Sequence, residues 1–459
     1  MPGDPTSPGG HRVTSVSDGV PPEEEVVLQG APTGGGTAGQ LLRNLQLPLW
    51  SGIQVAVQMC VALLSARWLG PGERGDFVLA TTIATLLLLV SSVGAGQASR
   101  VLLAEPGRWW TWSRFVRLAA LLTAPHVVLS GTLGLLLLAR LSTGDPAVFL
   151  PFLVYSAFAL SAHLFREGLH GLGRHRTSIG IDVGNAALQL ALTAAAHRAG
   201  VLSVELALYI GALCYAASVV VQVLVGRAAD VLGRGRPSVG AREFWVQSRA
   251  FVGISRFAMV AALGQSFVVI GDRLLLGAVG SSAQVGIYAA ASSLAQLTWV
   301  APVALTPLLT RRTAEAGDLR SWQRMHRPVL LLTVVLAAAV SVVGWFAIPL
   351  LLGDEFAAAR TVLPILCLAA VPYASYQFDA AACNGLRDMR TGAVGAFVGC
   401  FVLIACATAG YHVLGTRGVA CGVGVTYVVM AVIARTRLTA GISRAAGRGG
   451  PTAAGAHRA

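Results

Sequence analysis

The sequence predicts an all-α polytopic membrane protein, with about 12 transmembrane helices in two parallel six-helix lobes. Three observations predict the helices, and an internal repeat predicts the lobes. The 459 residues are 55% hydrophobic and only 12% charged, with a mean hydropathy of +0.67. Soluble domains carry about 25% charged residues. Apolar stretches of spanning length, roughly 20 residues, recur along the chain. Arginine is concentrated in alternate connections between them.

Taken in order, residues 1–40 are rich in Pro, Gly, Ser and Thr and carry the acidic run Glu23-Glu24-Glu25. No apolar run follows a basic start, so this reads as a disordered cytoplasmic tail and not a signal peptide. Spans 1–6 fall near residues 45–70, 76–104, 114–139, 147–169, 177–197 and 203–226, giving an N-lobe over 41–226. A cytoplasmic inter-lobe connection, 227–248, follows. Spans 7–12 fall near 249–277, 283–310, 328–352, 361–384, 392–413 and 416–435, giving a C-lobe over 249–439. Residues 440–459 form a cytoplasmic Arg-rich tail.

Arginine orients the spans. The connections after spans 2, 4, 6, 8 and 10 carry Arg108 and Arg114, Arg174 and Arg176, Arg227 and Arg234, Arg311 and Arg312, and Arg387 and Arg390. The other side has little beyond Arg74, Arg140, Arg198, Arg360 and Arg417. By the positive-inside rule both termini of this multi-pass protein are cytoplasmic. This asymmetry accounts for most of the net charge of +13, so nucleic-acid binding need not be invoked.

The residue inventory excludes several chemistries. All 34 Lys+Arg residues are Arg, so there is no Walker A lysine and no Schiff-base lysine. HExxH and GxSxG are absent. The seven cysteines lie in apolar stretches without metal-type spacing and read as small buried hydrophobes. His163 lacks a second ligand at helical spacing. The sequence therefore predicts no enzyme, no cofactor and no metal.

The two halves repeat. Arg67-Trp68-Leu69-Gly70 with Gly75-Asp76-Phe77 matches Asp272-Arg273-Leu274-Leu275-Leu276-Gly277 with Gly286-Ile287-Tyr288. Gly171-Leu172, ending in Arg176-Thr177, matches Gly385-Leu386, ending in Arg390-Thr391. A six-span unit crosses an even number of times, so both copies keep one orientation, as in transporters built from parallel repeats.

The stretches ARWLGPGERGDFVLATTIATLL, GDRLLLGAVGSSAQVGIYAAASSLAQL and GLGRHRTSIGIDVGNAALQLAL resemble helices of bacterial polysaccharide flippases. These belong to the MOP superfamily with the MATE exporters and lipid II flippases, and the resemblance covers residues 41–440. It implies two six-helix lobes around a central cavity and alternating access between them, with a lipid-linked oligosaccharide on a polyprenyl diphosphate carrier as cargo. Membrane lipids and polysaccharide assembly proteins are the implied partners. Lipid II flippases look fourteen-spanned, where twelve spans are counted here.

Polar residues inside spans are costly and point to function. Span 1 places Gln54 and Gln58 on one face, and span 5 does the same with Asp182, Asn185 and Gln189. Span 7 carries Arg256, Gln265 and Asp272, and span 10 carries Tyr376, Gln377 and Asp379. Arg256 suits a lipid phosphate, because a guanidinium donates two parallel hydrogen bonds. Gln54, Gln58, Asn185, Gln189, Gln265, Tyr376 and Gln377 suit sugar hydroxyls. Asp182, Asp272 and Asp379 are candidates for ion or proton coupling, although helix capping, or pairing with Arg174 or Arg390, explains Asp182 and Asp379 more simply. The pairs Gly180/Gly184, Gly395/Gly399 and Gly418/Gly422 permit close helix approach. The alternatives are a MATE-like multidrug exporter, whose cationic substrates would call for acidic residues in span 1, and a membrane glycosyltransferase or polymerase, for which no acid constellation is evident.

Overall fold

The computed structural model describes residues 37–103, 111–141, 145–232, 260, 262–316, 319–386, 388 and 390–448. The chain divides into two units, 1–46 and 47–459. Of the first, residues 37–46 are helical. The second holds the rest of the described residues.

Among the described residues every regular element is helical. In the first half these are α1 (Thr37–Ser91), α2 (Ala95–Leu102), α3 (Trp112–Leu129), α4 (Leu135–Leu141), α5 (Phe149–Gly171), α6 (His175–Arg198) and α7 (Val204–Leu232). In the second they are α8 (Ala262–Val279), α9 (Ser282–Ala295), α10 (Val300–Ala316), α11 (Arg320–Leu352), α12 (Ala359–Gly385), α13 (Arg390–Leu414) and α14 (Thr416–Arg448).

Ten helices among the described residues are long and apolar enough to cross a membrane. The ten and the expected twelve differ for two physical reasons. The first candidate, Gly52–Ser91, is 40 residues long and contains both spans 1 and 2, because Gly70 breaks it with φ 75 and ψ 171. A side chain would be strained there. Arg74 then reaches back to Ser65 at 3.0 Å, although nine residues of straight helix would separate them by about 13 Å. The chain therefore reverses direction at Gly70. Span 8 is interrupted by a 3-10 turn, Gln296–Trp299, between α9 and α10. Span 2 is also shorter than expected. It stops at Ser91, and a turn through Val93 (φ 46) and Gly94 (φ 71) leads into α2.

Each half has its own core. Trp112, Phe115, Phe152, Leu160 and Leu138 are fully buried in the first. Tyr288, Leu363, Cys367, Leu403 and Met430 anchor the second, which also takes in Leu63, Ala66, Val78 and Leu79 of α1. The α1 hairpin thus packs onto the other half. Within the first half α5 packs on α2, α3 and α7; within the second α12 packs on α9, α10, α11 and α14. Pro125 lies in α3 just before a π-turn, Ser130–Gly134, that leads into α4, the kind of break that bends helices.

The small-residue pairs behave differently from one another. An added Cβ on Gly399 would meet Met430 Sδ at 2.7 Å, and one on Gly418 would meet the Gly410 carbonyl oxygen at 1.8 Å. These are true close approaches between α13 and α14. Gly180 and Gly184 have nothing within 4 Å, so that pair borders open space and makes no helix contact. All seven cysteines are free. Cys60 and Cys421 are exposed, against the expectation of burial, while Cys214, Cys367 and Cys383 are buried.

Candidate functional site: a polar track through the first lobe

α1 and α6 carry their polar residues along matching faces. Eleven residues separate Gln54 from Ser65 on α1, and eleven separate Asp182 from Thr193 on α6. At 1.5 Å per residue each track climbs about 16 Å, half of a roughly 30 Å hydrocarbon core.

The base of the track is ionic. Gln54 donates its amide to Asp182 Oδ2 at 3.0 Å. Arg166 Nη1 lies 3.8 Å from the same carboxylate and its Nε 3.9 Å from Glu167 Oε1. Glu167 in turn receives a two-pronged contact from Arg100, through Nε to Oε2 and through Nη2 to Oε1 at 3.0 Å. Arg166 Nη2 also lies 3.2 Å from His163 Nδ1. Glu167 is buried because Gly96 leaves room: a Cβ there would come within 2.9 Å of Glu167 Cγ. The two guanidinium groups remain partly accessible, at 49% and 36% side-chain exposure, while Glu167 is only 7% exposed. The carboxylates are sequestered and the cations are presented.

Above this base the α6 face carries Asn185, whose buried Oδ1 makes no hydrogen bond, and then Gln189. Gln58, Gln189, Ser65, Thr193 and Arg74 line one cavity of about 140 Å3. Four of the expected substrate residues, Gln54, Gln58, Asn185 and Gln189, therefore lie on one track together with the coupling candidate Asp182. Arg100, Arg166, Glu167 and Arg74 belong to it without having been singled out as substrate or coupling residues. The first three form the base, and a sequence signal for them existed in the adjacent charges Arg166-Glu167 inside span 4.

The remaining expected residues sit in the second half. Asp272 is buried near the α1 hairpin and accepts from Tyr288 Oη at 2.6 Å and from the Arg273 backbone N–H at 2.9 Å. Tyr376 donates to the Gly392 carbonyl at 3.1 Å. Gln265 and Gln377 are half-buried on α8 and α12. Asp379 has no exposed surface and accepts from Trp322 Nε1 and Arg435 Nε, each at 2.9 Å. Its guanidinium partner is thus Arg435 of α14 and not the neighbouring Arg390; likewise Asp182 approaches Arg166 and not Arg174. Arg256 lies outside the described residues, as does the part of the inter-lobe connection from residue 233 onward.

The two halves meet at the hairpin end. Ser282 Oγ donates to Asp76 Oδ1 at 2.6 Å. A Cβ on Gly75 would fall 1.7 Å from the Ser282 carbonyl oxygen, and one on Gly286 would fall 2.1 Å from that of Pro71. Gly75 and Gly286 are the repeated glycines, so each copy of the motif presses its bare Cα against the turn of the other. Arg67 Nη1 donates to the Leu351 carbonyl at 3.2 Å at the same end.

No protein-family pattern matches the sequence, and no curated protein matches it either. Solved structures do match. A multidrug resistance MATE family transporter of the MOP superfamily, in an inward-facing conformation, aligns at TM-score 0.61 and 14% identity, over 84% of this chain and 98% of that one. The lipid II flippase MurJ, in an inward closed conformation, aligns at TM-score 0.65 and 10% identity, over 86% of this chain and 87% of that one. A variant of the Vibrio cholerae MATE transporter VcmN aligns at TM-score 0.56 and 15% identity, over 89% and 98%. This chain is a multi-pass helical membrane protein with the two-lobed fold that MATE transporters and the lipid II flippase share.

Proposed function

We propose that the protein flips a lipid-linked oligosaccharide, a polysaccharide precursor, across the bacterial cytoplasmic membrane by alternating access between its two lobes. The observation that carries the reading is the α1/α6 track with its presented cations. Both carboxylates at its base, Glu167 and Asp182, face arginine, while amides and hydroxyls occupy the rest. Such a surface favours an anionic, hydroxyl-rich cargo. A cationic drug would call for unpaired acid, and α1 supplies none along this face.

In this reading Arg100 and Arg166, with Arg256, meet the diphosphate at the cytoplasmic end through charge-assisted hydrogen bonds. Gln54, Gln58, Asn185 and Gln189, with Gln265, Tyr376 and Gln377 opposite, meet the sugars. The closed contact of Gly75 and Asp76 with Ser282 and Gly286 seals the outer end, in keeping with the inward conformations of the two aligned transporters. Both termini are cytoplasmic. Asp182, Asp272 and Asp379 stay candidates for coupling.

The test is transport by the purified chain in proteoliposomes, offered a fluorescent polyprenyl diphosphate oligosaccharide or an organic cation dye. The reading expects movement of the lipid-linked sugar and none of the dye. It also expects Arg256→Ala to abolish flipping with little change in melting temperature. Dye export without flipping would replace it with the exporter.

A further inference from the structure

The cavity of about 140 Å3 inside the first lobe is bounded by α1, α6 and α7. A water takes about 30 Å3 of liquid, so this space holds about five water-sized groups, enough for a carboxylate and the edge of the sugar ring that carries it. Gln58 is exposed and Gln189 half-buried at its mouth. Arg74 forms its floor and is only 6% exposed.

Arg74 is poorly compensated. One Nη1 hydrogen bond goes to Ser65 Oγ at 3.0 Å, and Phe77 covers it with its ring centre 5.5 Å away. Its Nε is buried and makes no hydrogen bond. Among the described residues no carboxylate pairs with it, and Arg273 of α8 acts on it with a charge of the same sign. Counting from Gly70 and Gly277, Ser65 stands where the second half has Asp272, and Arg74 stands where it has Ser281. The cation is therefore particular to the first lobe, and its hydroxyl partner occupies the position of a carboxylate in the second. A guanidinium buried at this depth calls for a counter-charge, and the cavity is where one fits.

The hydroxyls narrow the ligand further. Ser65 already donates to the Ala62 carbonyl at 3.1 Å, and Thr193 to the Gln189 carbonyl at 2.7 Å. Toward the cavity both oxygens can only accept. They suit a ligand that brings its own O–H donors, and they offer no hydrogen to a phosphodiester or a diphosphate diester, whose oxygens are all acceptors.

From this we infer that the cavity is a binding site for an acidic sugar, with Arg74 holding the carboxylate and Ser65, Thr193, Gln58 and Gln189 holding ring hydroxyls. The inference rests on the flippase reading and deepens it: the cargo includes a uronic acid residue.

The test is equilibrium binding of radiolabelled glucuronate to the full chain in nanodiscs, with unlabelled competitors. Saturable binding is expected, with no competition from glucose. Arg74→Gln should weaken it at least about tenfold, as expected for loss of hydrogen bonds to a charged group. Because Arg74 is buried, Gln58→Leu at the mouth serves as a second variant that leaves the guanidinium in place; it should weaken binding with an unchanged melting temperature. Equal competition by glucose, undiminished binding in both variants, or competition by acetate or inorganic phosphate as strong as that of glucuronate would overturn the inference. A chain that flips neutral lipid-linked sugars without binding glucuronate refutes this site alone. One that binds glucuronate but flips nothing refutes the flippase reading instead.

Discussion

Asp379 is a fully buried carboxylate with Trp322, Arg435 and His326 around it, the last 3.7 Å away. The Arg435 guanidinium also stacks 4.8 Å over the Trp322 ring. In the first lobe, the buried Trp112 packs against Phe115 and Phe165. Phe165 is 5.8 Å from it, and a Cβ on Gly226 would fall 1.9 Å from its Cε2. Arg435→Met would strand a buried charge at a cost of up to about 3–5 kcal/mol. Partial exposure of Arg435, 38%, places the effect toward the lower figure. The double variant Asp379→Asn/Arg435→Met removes the stranded charge and should melt closer to the wild type than the single variant. Thermal melts of the three proteins decide it; equal losses in single and double variants would mean that the pair is not coupled. The sequence shows Asp379 as notable but gives no route to Arg435. The two are 56 residues apart, and their meeting depends on the packing of α12 against α14. Arg74 is hidden in a different way. It stands in a Gly- and Pro-rich turn that reads as a surface loop, and only the hairpin at Gly70 turns it inward against Ser65.

At the scale of elements, the repeated turns govern how the lobes meet. The glycines Gly75 and Gly286 are legible in the sequence as a repeated motif, whereas their reciprocal contact is not, because it requires the two lobes to be placed face to face. Gly75→Val puts a branched side chain where even a Cβ would lie 1.7 Å from backbone. The hairpin end should then open. In a cysteine-free background, Ser282→Cys should react with a membrane-impermeant maleimide several-fold faster when Gly75→Val is also present. An unchanged rate would show that the turn contact does not hold this end shut. The interruptions of span 2 at Val93–Gly94 and of span 8 at Gln296–Trp299 were less legible. Apolar composition fixes that a segment lies in the membrane, but tertiary packing decides where its helix breaks. Gln296–Trp299 contains neither Gly nor Pro to announce the break.

For the whole molecule, composition and the internal repeat were sufficient for the two-lobed helical fold, because a membrane leaves few alternatives to bundled helices. The α1 and α6 faces of the candidate site were legible through their helical spacing, and the ionic base that joins them emerged only from the packing of α1, α2, α5 and α6. Alternating access requires the contact between Asp76 and Ser282 to open once per cycle. The most direct measurement is flipping of a lipid-linked oligosaccharide in proteoliposomes by Asp76→Cys/Ser282→Cys in a cysteine-free background, since the native side chains lie 2.6 Å apart. Oxidation to the disulfide should stop flipping, and reduction should restore it. Unchanged flipping by fully cross-linked protein would contradict alternating access through this end.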